Sequence, residues 1–154
     1  MKIILKCFIV AVALCSINIF TSCNKSENTI AVTETVREEL LRTSQSWNGE
    51  ELPDYPQGRP ELVAAKYIIP AGEKLGWHHH VAMNHGVLVQ GELTIIGLDG
   101  QTTTLHAGDV VVEMVNSVHY GENRGTEPVV LYMFYVSQEG MPLSVANPEI
   151  PEVE

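Results

Sequence analysis

GEKLGWHHHVAMNHGVLVQG, residues 72–91, decides how this chain is read. It places three consecutive histidines, His78, His79 and His80, and a fourth, His85, between Gly72 and Gly91. The 154-residue chain has six histidines in all, so four of them sit in this one stretch. "GVLVQGELTIIGL" follows directly and is β-rich, so the segment reads as strand. Side chains of an extended strand alternate between its two faces. His78 and His80 then point to one side, and His79 to the other. Two imidazoles at i and i+2 are placed to chelate one ion, but a two-ligand site is weak, so a third ligand is expected from elsewhere. His119, in "VNSVHYGEN" just after "DVVVEMV", is the candidate.

The flanks carry the same signal. "ELVAAKYII" ends at Pro70. Asp99-Gly100 turns the chain and "QTTTLH" returns. "AGDVVVEMV" is another turn followed by a strand, and "EPVVLYMFYV" is apolar on both faces, as a buried central strand would be. Several short strands separated by glycine turns predict an all-β antiparallel sandwich or barrel. No internal repeat is present. Upstream, "NGEELPDYPQGRP" holds three prolines and two glycines and reads as a loop. "REELLRTSQSW" before it fits a short amphipathic helix or an extended lead-in strand. The tail "EGMPLSVANPEIPEVE" has three prolines and four acids, and is expected to fray.

The N-terminus belongs to a different category. Lys2 and Lys6 precede the apolar "FIVAVALCSINIF", and "TSC" follows. A basic start, a short apolar run and small residues describe a secretory signal. The ending resembles a bacterial lipoprotein signal, in which Cys23 is lipidated and becomes the first mature residue. Phe20 stands where that signal usually has Leu. The alternatives are a secreted protein with a leftover thiol or an anchoring N-terminal helix. Cys7 and Cys15 lie inside the signal, so Cys23 alone would survive and could form no internal disulfide. The expected organisation is a signal over 1–22, a flexible tether and lead-in over 23–46, a folded domain over 47–140 and an acidic tail over 141–154.

Charge narrows the partners. The chain has 9 basic and 19 acidic residues. Removing residues 1–22 leaves 7 basic residues against the same 19 acids, a formal charge of −12. Such a body does not suit nucleic acid and is repelled by anionic lipid, so an anchor rather than the surface would hold it at a membrane.

The histidines and their glycine frame resemble the cupin family. Its first motif is G-x5-H-x-H-x3/4-E-x6-G, and here Gly72, His78, His80 and Gly91 match it. Its second is G-x5-P-x-G-x2-H-x3-N, and Gly108, His119 and Asn123 match in register. The likeness covers residues 72–123 and extends over the β-rich flanks to about 60–137. Three departures stand out. Asn84 occupies the place of the first-motif glutamate, with His85 one position off the register that Gly91 demands. Met114 replaces the proline and Asn116 the glycine of the second motif.

The resemblance implies an antiparallel jelly-roll β-barrel with one divalent transition metal (iron, manganese, zinc, nickel or copper) on His78, His80 and His119, with Asn84 as a weak fourth ligand. Glu113 would restore the missing negative charge if it faces inward, and is also the candidate general base; strand parity decides which way it faces. Cupins include dioxygenases, isomerases and lyases acting on small organic molecules, and they often pair through their sheets as homodimers. The alternative function is a non-catalytic lipoprotein that captures a small ligand or metal at the envelope. His79 and His106 are expected outside the site.

Overall fold

The computed structural model describes residues 33–151. The expected signal over 1–22, Cys23 and the first part of the expected tether lie outside them. The chain divides between Arg37 and Glu38 into two units, and the architecture here is that of the second. Among the described residues there is no helix, hence none long and apolar enough to cross a membrane.

The strands in chain order are β1 (Pro60–Ile69), β2 (His78–His80), β3 (Met83–Gln90), β4 (Glu92–Gly97), β5 (Thr102–His106), β6 (Val110–Val112), β7 (His119–Glu122), β8 (Val129–Gln138) and β9 (Ser144–Ala146). They form two sheets, β1-β8-β3-β6 and β5-β4-β7-β2-β9, antiparallel throughout. The expected all-β jelly roll is what the chain forms. Leu88, Leu131 and Met133 of the first sheet pack on Leu93, Ile95 and Leu105 of the second to make the core. Burial of that apolar surface is the main stabilising contribution.

The long run after the histidines is cut at Gly91, which ends β3 and starts β4 at φ +81°. A Cβ there would stand 2.9 Å from the Pro128 carbonyl oxygen, so the close approach of the β8 lead-in demands glycine. Asn123, the last residue of the second motif, is fully buried. Its Nδ2 lies 3.0, 2.9 and 2.9 Å from the carbonyl oxygens of Ile69, Pro70 and Glu127, and its Oδ1 accepts from Gly125 N. One amide thus ties the end of β1 to the β7–β8 turn.

Three readings of the sequence are corrected. β8 is central in its sheet, but only alternate residues are buried. Leu131, Met133 and Tyr135 face the core, while Tyr132 and Phe134 are 39% and 42% exposed. A jelly roll has two layers, and among the described residues no third layer covers the outer face of this sheet. The tail also does more than fray. Ser144–Ala146 pairs along β2, and Leu143 O accepts from Val81 N and Ala82 N. The lead-in forms neither helix nor long strand: residues 38–43 are irregular, and a turn at 46–49 docks through Trp47 N to Val112 O at 2.9 Å.

Asn123→Ala is expected to lower stability by about 2–3 kcal/mol, because it strands buried carbonyls without a donor. Urea denaturation checks this: the midpoint should fall with the slope unchanged.

Candidate metal centre

β2 is only three residues long, yet it sits between β7 and β9, and His78 lies directly opposite His119. Strand alternation brings His80 to the same face as His78, as the sequence required. The ring centroids are 5.1 Å apart for His78–His80, 4.6 Å for His78–His119 and 5.1 Å for His80–His119. One ligating nitrogen from each ring falls within 4.8 Å of the other two, so the group could hold a metal ion. His79 points away and its Nδ1 lies 2.8 Å from Asn147 Oδ1, a contact to the tail. His85 is exposed on the outer face near Phe134, and His106 is exposed too.

Backbone carbonyls orient two of the rings. Nδ1–H of His78 donates to Gly76 O at 2.8 Å, and Nδ1–H of His119 donates to Ser117 O at 2.9 Å. Both bonds leave Nε2 as the free lone pair, the arrangement that prepares a histidine to ligate. The turn before His119 is held to β2 by Asn116 N, which donates to His80 O at 2.8 Å. Asn116 has φ +62°, where the motif has glycine. Asparagine tolerates this left-handed conformation better than other side chains, which accounts for the exchange.

Glu113 faces inward. It is 6% exposed, and its Oε2 lies 3.2 Å from Nε2 of His119, itself 1% exposed. Both atoms, with His80 Nδ1, are buried without a hydrogen-bond partner. A cation in the cluster supplies what they lack, so the donor set fits a divalent ion.

Burial disfavours charge on each group, but the partners decide the outcome. Burial, helped by the neighbouring imidazoles and opposed by the Glu113 charge, pushes His80 down to about 4; burial also lowers His78, the Gly76 carbonyl only partly offsetting it. At the His119–Glu113 contact attraction outweighs burial, so His119 is raised and Glu113 lowered.

The cluster opens onto a cavity of about 260 Å³. Ile69, Leu93, Ile95, Leu131 and Met133 are among its apolar walls, and Glu113 borders it. Tyr67 and Tyr135 also border it, their hydroxyls 2.8 Å apart. Asn84, expected as a ligand, does not line this cavity. It is buried, with Nδ2 donating to Ala82 O at 3.2 Å. Sequence reasoning did not find Tyr67, Tyr135 or Ser144, which lines the cavity from the tail. The tyrosines looked like ordinary strand residues, and the tail carried no strand signal.

Residues 65–135 match the family described as Cupin domain (Cupin_2). The domain has the cupin fold. A comparison with curated proteins gives no match. Among solved structures, DMSP lyase DddQ from Ruegeria pomeroyi DSS-3 is similar with a TM-score of 0.52 and 20% identity, over 68% of this chain and 49% of that one. This chain therefore spans about half the lyase's length. A double-stranded β-helix protein from Klebsiella pneumoniae is similar at TM-score 0.49 and 19% identity, over 60% of this chain and 88% of that one. An RmlC-like cupin from Shewanella frigidimarina NCIMB 400 gives 0.45 and 22%, over 52% and 69%. The likeness to the lyase speaks for the fold alone.

The lowered His80 value has a consequence for the metal-free protein. Its ring is neutral in both states above pH 6.5, and as pH falls towards 4 only the unfolded chain takes up the proton. Stability should therefore drop by roughly 3 kcal/mol across that window. Denaturation of chelator-treated protein at pH 7, 5.5 and 4 measures it, and His80→Gln should flatten the slope.

Proposed function

We propose that this chain is a metal-dependent cupin enzyme acting on a small organic molecule at the bacterial cell envelope, with one divalent transition metal on His78, His80 and His119. The observation that carries it is the convergence of three ligating nitrogens within 4.8 Å at the wall of an apolar cavity. Imidazole ligands suit iron, zinc, copper or nickel, and manganese also fits once an oxygen ligand is present. When bound, such an ion supplies Lewis acidity for isomerase or lyase chemistry, or a redox centre for oxygenase chemistry.

The residues of the chain do the rest. A cavity of about 260 Å³ suits a small ligand, and its aliphatic walls keep water from the reacting end. The tyrosine pair has two hydroxyl protons, and one is used between the rings. The other is available to an oxygen of the ligand. Burial and the Tyr67 hydroxyl raise the Tyr135 pKa, so the pair stays a neutral donor. A small carbonyl or carboxyl compound with an apolar body matches these walls.

Elemental analysis of the full chain should give close to one transition metal per chain, and His119→Ala should lose it. Less than about a tenth of an equivalent in the wild type would remove the reading. Oxygen uptake or substrate loss that vanishes in His119→Ala marks the enzyme. Ligand-stabilised melting without turnover points instead to a binding lipoprotein.

The envelope location is supported by the signal sequence ending at Cys23. Labelled palmitate should enter the wild-type chain in a bacterial host and not Cys23→Ser. A homodimer through the sheets belongs to the same reading, and exposed Leu62, Ile68, Tyr132 and Phe134 on the outer face support it.

A further inference from the structure

We infer that Glu113 is the anionic ligand of this metal centre, a carboxylate moved one strand over from the position that Asn84 occupies. The inference rests on the three-histidine reading and completes it.

The strand register carries the argument. His85 pairs with Val112 and Gly86 with Val111 across β3 and β6. One more antiparallel step sets Asn84 opposite Glu113, and Glu113 N donates to Asn84 O at 3.2 Å. Residues directly opposite in this way share a face, with Cβ atoms about 4.5–5.5 Å apart. A carboxylate transferred from 84 to 113 therefore changes strand but still projects inward, towards the same cluster. Both residues are buried, at 2% and 6% exposure. They differ in what they reach. The Asn84 amide donates back to Ala82 O in its own strand lead-in, whereas Glu113 Oε2 arrives 3.2 Å from Nε2 of His119.

Proton placement strengthens the case. The ring proton of a neutral His119 sits on Nδ1, bonded to Ser117 O. Its Nε2 lone pair and the Glu113 oxygen then face each other as two acceptors in the interior. Only a positive charge makes that contact favourable: a second ring proton in the metal-free protein, or a metal ion held by both atoms. Glu113 Oε2 is also closed off from solvent. A carboxylate that borders the cavity but directs its buried oxygen at a ligating nitrogen is a poor general base, so the base role expected from the sequence gives way to the ligand role. With Glu113 bound, three neutral imidazoles and one carboxylate leave a divalent ion at net +1. An oxygen donor of this kind favours manganese more than it favours zinc.

The test uses the full chain, stripped by chelator and titrated separately with Mn²⁺ and Zn²⁺. Glu113→Gln should weaken Mn²⁺ binding by about tenfold or more, and Zn²⁺ binding by less. Asn84→Ala should leave both affinities within about twofold of wild type. Adding Asn84→Glu to Glu113→Gln returns the carboxylate to β3 and should recover Mn²⁺ affinity, a rescue that a merely structural Glu113 would not give. Glu113→Asp replaces the glutamine variant if that one does not fold, with the same expected shift against Mn²⁺. Unchanged affinities in the Glu113 variant, with uptake lost in His78→Ala, overturn this inference and leave the histidine site standing. A wild-type chain that takes up neither ion overturns both.

Discussion

A carboxylate oxygen and an imidazole nitrogen lie 3.2 Å apart in the interior of this protein, at Glu113 and His119. Neither group is solvated there, and unpaired buried charge is among the costliest features a fold can carry. The contact therefore requires a positive charge, and the surrounding chain is arranged so that one fits. The other two imidazoles approach with little tendency to be protonated themselves, since burial lowers both. A compact divalent ion could be held by the three imidazoles, where several protons would repel one another.

The scaffold makes that placement stiff. β2 contributes two of the three clustered histidines from three residues, and would be too short to hold them if it stood at an edge. It is instead flanked by β7, which brings His119, and by β9, which arrives from the tail. Asn116 clamps the β6–β7 turn to His80, while Asn123 clamps the far end of β7 to β1. These contacts show what motif positions away from the three histidines do for the backbone. Asn123 serves the backbone rather than the ligand cavity.

How much was legible follows the range of each interaction. Period-two alternation is local, so it separated His79 from His78 and His80 without any structure. Glycine frames and turn dipeptides are local as well, and they located Gly91 and the β4–β5 hairpin. The outer exposure of β8 was misread because an apolar sequence reports hydrophobicity and not the number of layers above it. The tail was misread because β9 owes its existence to β2. Ser144–Ala146 has weak strand character of its own and gains structure only by pairing.

By itself, then, the sequence determined the all-β class, the cupin likeness and the three histidines, because each rests on spacing along the chain. It also marked the absent glutamate at Asn84. Only the tertiary structure decided that Glu113 faces inward, that tyrosines from β1 and β8 meet above the cavity, and that the tail walls it. Those facts depend on register between strands far apart in sequence. A shift of one residue between β3 and β6 would turn Glu113 out to solvent, and nothing in the local pattern of "VVVEMV" distinguishes the two outcomes.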